Sequence, residues 1–276
     1  MSRNSTQEAL VLAVREQGEN NRSVTLLSPQ EGILYATLYG GAKSKMRSLV
    51  SPFNRGRIWL YKDEVRHSVK ITDFDVQSYH LSFRESLFKS WAAQLAAETV
   101  IKTKCAGSAA ECWRLLNGFL DGMELSDENE SRIGLIRFIW RYLALLGIRP
   151  RTDRCAWCGA SFHAAAVSAD SLRHRAVYDE AENGFICADC LAGSGESAAQ
   201  SGAGGYRNGY APARTFTAGK AALTYLEAVS DLEPKAVRAI PLDAATMAEL
   251  KSLCYHLLEA ACGSRLSALD SGLGIL

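Results

Sequence analysis

Apolar and polar positions alternate through the first eighty residues. The segments EALVLAV (Glu8–Val14), SVTLL (Ser23–Leu27), GILYATLY (Gly32–Tyr39), RIWLY (Arg57–Tyr61) and HSVKITDFDVQSY (His67–Tyr79) are short and rich in β-branched and aromatic residues. Gly18, Asn20-Asn21, Pro29, Gly40-Gly41 and Pro52 punctuate them. Five such strands predict a small closed barrel of the OB-fold type over residues 1–80. In GILYATLY, Ile33, Tyr35, Thr37 and Tyr39 share one face, while Leu34, Ala36 and Leu38 share the other. In RIWLY, Arg57, Trp59 and Tyr61 oppose Ile58 and Leu60. The aliphatic side fills a barrel. The aromatic and basic side either stacks unpaired bases or packs beneath neighbouring helices.

From Leu81 the period changes. SFRESLFKSWAAQLAAETVIKTK reads as one long helix, AAECWRLLNGFLDGM as a second, and SRIGLIRFIWRYLALLG as a third. The third is expected to be capped by Ser131 or Asn129 and stopped by Gly147. It is apolar on nearly every side, the mark of a central bundle helix. Two further helices are expected around Thr217–Leu232 and Asp243–Cys262. LAGSGESAAQSGAGGYRNGYAPAR, residues 191–214, is Gly/Ser/Ala-rich and reads as a flexible loop. The fold class is therefore α+β and multidomain, a barrel followed by an all-α domain over residues 81–276.

Two cysteine pairs interrupt that helical domain. RCAWCGASF carries Cys155 and Cys158, and FICADC carries Cys187 and Cys190. Two CxxC knuckles can bring four thiolates tetrahedrally onto one Zn²⁺, here in an inserted module at residues 150–192. The chain between the pairs is longer than a usual zinc-ribbon gap, so it is expected to form a hairpin from SLRHRAVYDEAENGF, with Asn183-Gly184 as its turn signal. The alternative is disulfides or loose thiols. Four sulfurs close the coordination shell, so such a zinc is structural, and the nearby His163 and His174 are not needed. Cys105, Cys112, Cys254 and Cys262 lack ligand spacing and read as small buried hydrophobes.

Composition narrows the function. The chain has 276 residues and a net charge of +1, with no secretory leader visible at its start. Ile133–Ile148 is its longest apolar run. It is too short to span a bilayer and carries Arg137 and Arg141. A cytoplasmic protein with no membrane contact is expected. There is no P-loop: Gly219-Lys220 is followed by Ala221, and position 214 is Arg. HExxH, GxSxG and the deaminase HxE…PCxxC are also missing from the sequence, which points away from enzymes of those classes. The local charge is less neutral than the total. No Asp or Glu occurs from Ile33 to Lys62, a window that holds Lys43, Lys45, Arg47, Arg55, Arg57 and Lys62. A second basic cluster runs through Arg137, Arg141, Arg149, Arg151 and Arg154. Such clusters are either solvated faces or directed contacts for an anionic partner. GGAKSKMRS reads as a phosphate-contacting loop.

The order of parts resembles the RecO family of bacterial recombination mediators. The resemblance rests on EALVLAVREQGENNRSVTLLSPQEGIL, on the glycine-basic loop YGGAKSKMRS with LVSPF after it, on LALLGIRPRTDRCAWCGA and on GFICADC. It implies a non-enzymatic protein of DNA repair with an OB-fold amino domain, a helical carboxy domain and a structural zinc on Cys155, Cys158, Cys187 and Cys190. It also implies binding of single- and double-stranded DNA, annealing of complementary strands, and action with RecR and the C-terminal tail of SSB to load RecA. Localisation with the nucleoid follows from that role. Arg22, Lys43, Lys45 and Arg47 fall on the basic turn and loop associated with DNA contact. Arg55, Arg57 and Trp59 on the barrel, with Arg137 and Arg141 on the third helix, complete the candidate DNA-binding set. Two other readings remain open: a protein-interaction scaffold with structural zinc, and a zinc-dependent hydrolase.

Overall fold

The computed structural model describes residues 3–41, 44–162, 175–193 and 216–272. Its amino-terminal part is the expected barrel. Strands β1 (Asn4–Gln17), β2 (Asn21–Ser28), β3 (Gly32–Tyr39), β4 (Arg55–Asp63) and β5 (Ser68–Ser78) close in the order β1-β2-β3-β5-β4. β1 pairs with both β2 and β4, and this long strand has a register shift between Val11 and Ala13. Such a bulge bends a strand, as one that joins both sides of a barrel must be bent. Within the barrel a parallel pairing, Thr37 with Lys70, joins β3 to β5.

Alternation fills the inside. Val11, Val24, Leu26, Ala36, Leu38, Ile58, Leu60, Ile71 and Phe74 form one buried cluster. The short helix α1 (Met46–Leu49) lies between β3 and β4, and Met46, Leu49 and Val50 pack against that cluster. Gly56 is required by a close approach: a Cβ there would lie 2.0 Å from the Asp75 carbonyl oxygen.

The expected long helix from Ser82 is two pieces. A 3₁₀ turn (Leu81–Arg84) precedes α2 (Leu87–Lys102), because the Ser86 hydroxyl accepts the Lys89 N–H and caps a fresh helix start. α3 (Ala109–Glu124) is capped by Ser108. α4 (Glu128–Leu145) starts earlier than Ser131 or Asn129 would have it. Asp127 is its cap, accepting from Glu130 N–H at 2.8 Å, while Ser131 donates its hydroxyl back to the Asp127 carbonyl. An acidic cap also complements the positive helix end, and the serine has no such advantage. α4 buries the unbroken run from Leu135 to Trp140, and Gly147 ends it at φ 74°.

The described chain divides into two compact units. The first joins residues 1–147 to 258–276, and the second is residues 148–257. The first therefore contains the barrel together with α2, α3 and α4. Three groups weld barrel to helix there. His80 Nδ1 lies 2.8 Å from the Phe53 carbonyl oxygen, and its Nε2 lies 2.9 Å from Asp121 on α3. Arg55 donates to the same Asp121 at 2.8 Å and to Asn117 at 3.0 Å. Burial pushes the Asp121 carboxyl up, but the hydrogen bonds from Arg55 and His80 outweigh it and hold the group below the usual carboxylate range.

The second unit has a small sheet ordered β7-β6-β8, made of β6 (Ala176–Asp179), β7 (Gly184–Ile186) and β8 (Thr217–Ala218). β6 and β7 form the expected hairpin, although its turn is Glu180–Asn183 and Gly184 already belongs to β7. Helices α5 (Lys220–Asp231) and α6 (Pro234–Arg238) follow, then α7 (Ala244–Cys262). α5 starts three residues later than the pattern implied, because Thr217 and Ala218 pair with β6. Residues 188–193 are helical, so the loop expected from Leu191 does not begin there; residues 194–214 of it lie outside the described residues, as do His163 and His174. In the first unit, α8 (Ser267–Ser271) docks on α2, where Glu98 accepts the Ser267 and Ala268 N–H groups at 2.9 Å.

Candidate nucleic-acid interface and metal centre

The four paired cysteines meet. Cys155 and Cys190 sulfurs lie 3.9 Å apart, Cys158 and Cys187 sulfurs 3.8 Å, and all four lie within 4.8 Å of one another. A tetrahedron with Zn–S arms of 2.3 Å has edges of about 3.8 Å. Among the described residues this is the one group of cysteine, histidine or acidic side chains gathered closely enough to hold a metal ion.

The local sequence explains the geometry. The Gly159 N–H donates to the Cys155 carbonyl at 3.0 Å, and Gly159 itself has φ 72°, which suits a residue without a Cβ. Ala156 N–H donates to the Phe185 carbonyl at 2.8 Å, tying the first knuckle to β7. Cys155 is buried. Burial pushes its thiol up, yet the N–H groups of Cys158, Cys187 and Trp157 outweigh burial and bring it down to about 6. The donor set fits a thiophilic ion bound without an open position. The other cysteines behave differently. Cys105, Cys112 and Cys254 are buried, and burial raises the Cys254 thiol to about 12 and that of half-buried Cys262 to about 11.

The basic and aromatic candidates fall into three groups. The first is the outer face of the barrel across β3, β5 and β4. Tyr35 and Tyr39 are exposed at 61% and 50%, and Trp59 and Tyr61 are half-buried on the same outward parity. Lys70 of β5 lies 5.2 Å from the Tyr39 ring centre and 5.9 Å from that of Tyr61. The strand register puts Lys70 opposite Tyr61, and this was the signal sequence reading missed. Arg57 is exposed on this face, 3.6 Å from Glu8 and paired in register with Asp75. Trp59 sits opposite Asp73 beside a bulge, so the face is aromatic and of mixed charge, not uniformly basic.

The second group is at the β1–β2 hairpin. Arg22 Nε donates to Glu16 at 3.0 Å, and Arg47 of α1 donates to both Glu16 oxygens at 3.0 and 2.9 Å. Arg22 also donates to the Arg47 carbonyl at 3.2 Å. The Arg22 hydrogen bond, with Arg47 beside it, holds the Glu16 carboxyl below the usual range. Lys45 is exposed next to Arg47, and Lys43 lies outside the described residues.

The third group sits in structural pairs. Arg55 belongs to the Asn117–Asp121 junction. Arg137 is buried on α4 and bonded to Glu130 at 2.7 Å. These two arginines are committed to partners inside the first unit, although their charge alone made them look like surface. Arg141 is half-buried on the same helix. Arg151 and Arg154 share Asp153, at 2.9 Å each, in the second unit.

The profile of the family described as recombination protein O N terminal matches residues 1–79, and that of recombination protein O C terminal matches residues 84–270. The chain belongs to the RecO family. Among its relatives, DNA repair protein RecO of Myxococcus xanthus is 31% identical over 196 residues, which is 70% of this chain and 75% of that protein. The proteins of the same name from Pelotomaculum thermopropionicum and Syntrophotalea carbinolica are 28% and 26% identical, over 67% and 69% of this chain and 68% and 70% of theirs. The RecO assignment agrees with the closed five-stranded barrel, the helices after it and the cysteine quartet. No helix among the described residues is long and apolar enough to cross a membrane.

Proposed function

We propose that this RecO-family chain is a non-enzymatic DNA repair protein whose barrel binds unpaired nucleic acid and promotes strand annealing. The observation that carries this reading is the outward row Tyr35, Tyr39, Trp59 and Tyr61 with Lys70 across two of its rings. Bases stack on aromatic faces whatever their sequence, while a neighbouring cation balances a phosphate. Arg57 extends the row, and Arg22, Lys43, Lys45 and Arg47 supply the backbone contacts. Arg141 is the remaining candidate on the helices. The cysteine quartet holds Zn²⁺ as a structural ion, which fixes the knuckles and supplies no open coordination site. In this reading the protein works in the cytoplasm at the nucleoid, binds single- and double-stranded DNA, and acts with RecR and the SSB tail to load RecA.

The test is anisotropy of a labelled oligonucleotide, with annealing of SSB-coated complementary strands measured without ATP. Tyr39→Ala/Trp59→Ala weakens single-strand binding by about 10-fold or more, from about 1–3 kcal/mol per stacked base. Binding of the unaltered protein falls steeply with salt. Equal affinity of variant and unaltered protein removes the aromatic row from the mechanism. The exposed acids Asp73 and Asp75 on the same face favour a second reading, a protein-binding scaffold. That reading requires salt-insensitive or absent DNA binding.

A further inference from the structure

Two guanidinium groups aimed at one carboxylate form a fork built for an oxyanion. Arg47 meets both oxygens of Glu16 and Arg22 meets one, all at 2.9–3.0 Å. The fork is fixed from behind. Arg22 is braced by the Arg47 carbonyl, and the neighbours of Arg47 on α1, Met46 and Leu49, are seated on the barrel core. The arginine side chains are 23% and 14% exposed, whereas Glu16 is 59% exposed. The cations are therefore the held partners, and the carboxylate is the one that can leave. Glu16 faces Arg22 in the last pairings of the β1–β2 hairpin, next to Gln17 with Asn21. The next residue along β2 from Arg22 towards the tip, Asn21, pairs with Tyr39 of the aromatic row.

We propose that the Arg22–Arg47 fork is a subsite for one backbone phosphate and that Glu16 is its built-in competitor, occupying the fork until a phosphate displaces it. This rests on the nucleic-acid reading above. A phosphodiester offers two anionic oxygens to the same fork geometry, and guanidinium pairs bind it bidentately. The competitor lowers affinity for isolated anions. The displacement cost is the same for every anion that enters the fork, so a lone phosphate binds weakly, while a strand that also stacks its bases keeps enough other contacts to bind.

The test uses the full chain and two ligands, a labelled oligonucleotide and tripolyphosphate, the latter followed by thermal shift. Glu16→Gln binds both roughly 2- to 5-fold more tightly than the unaltered protein, the scale of one exposed ion pair. Glu19→Gln, an exposed acid at the same hairpin, shifts neither beyond a small change. In an Arg22→Lys/Arg47→Lys background, which keeps the charge and loses the fork, Glu16→Gln brings no gain. A gain of the same size in that background, or from Glu19→Gln, assigns the effect to net charge and overturns the proposal. So does no gain from Glu16→Gln for either ligand. If no form binds the oligonucleotide but Glu16→Gln still tightens tripolyphosphate, the nucleic-acid reading fails and the fork stands as a site for another polyanion.

Discussion

The barrel and the cysteine module reach order by opposite means. In the barrel, five strands each give alternate residues to one interior, and Val11, Val24, Ile58 and Leu60 are fully or almost fully buried. In the module, β6 to β8 are two to four residues long, and four sulfurs converge where the barrel has aliphatic chains. Apolar burial is spread over many residues and degrades gradually. A four-ligand centre concentrates the stabilisation on a few atoms and fails as a unit.

The largest expected effect breaks this comparison at its metal end. With the quartet holding Zn²⁺ as proposed, Cys187→Ser, or chelation of the unaltered protein, removes a centre worth about 10–16 kcal/mol in isolated zinc modules. Limited proteolysis then cuts within residues 148–193, while the far-ultraviolet signature of the barrel persists. Bimane labelling after chelation reaches the four knuckle thiols and leaves Cys254 untouched. Loss of the barrel at the same step would show that the two regions are not independent.

Next in size is the barrel core. Ile58→Ala, at a fully buried position, costs about 2–5 kcal/mol and lowers the denaturant midpoint without opening the knuckle thiols to bimane. Gly159→Ala sharpens the comparison from the other side. No atom lies within 4 Å of the added Cβ, so only the left-handed backbone resists it, at about 1–2 kcal/mol, read as a small fall in the module's melting temperature.

The smallest effect concerns pH. The folded Asp121 carboxyl lies below its ordinary value of 3.8, so its stabilising contribution is complete above 3.8 and is lost as pH falls through the lower folded value. Asp121→Asn therefore destabilises the first unit at neutral pH and flattens its acid limb from pH 3.8 downwards, over the range in which the native carboxylate is being protonated. The side chain is 44% exposed, and solvent screening keeps the change modest. Acid-unfolding curves of the two forms, compared by intrinsic fluorescence, check this.

The sequence exposes these regions unequally, for physical reasons. Strands of eight residues or more carry several periods of alternation, so the barrel is readable directly. Strands of two to four residues carry almost none, and Thr217–Ala218 was absorbed into a helix pattern for that reason. The convergence of the four cysteines was readable from spacing, since CxxC is local. Charged residues were the weak point, because a sequence prints the charge and not its partner. Arg55 and Arg137 looked like surface until Asp121 and Glu130 came into view. Lys70 looked like an ordinary strand residue until its register placed it between Tyr39 and Tyr61. Glu16 drew no attention, since its role depends on an arginine from another element.

The shared carboxylate of Asp121 bears on how this chain can be taken apart. Two profiles meet between residues 79 and 84, which invites a cut there. A fragment ending at residue 80 would keep Arg55 and His80 and lose the α3 carboxylate that both of them contact. It would carry two orphaned cationic or polar side chains where α3 had met the barrel, an artificial feature that the intact protein does not present. A faithful excision keeps residues 1–147 together with 258–276, so inheritance by parts and folding by parts need not share a border in this molecule.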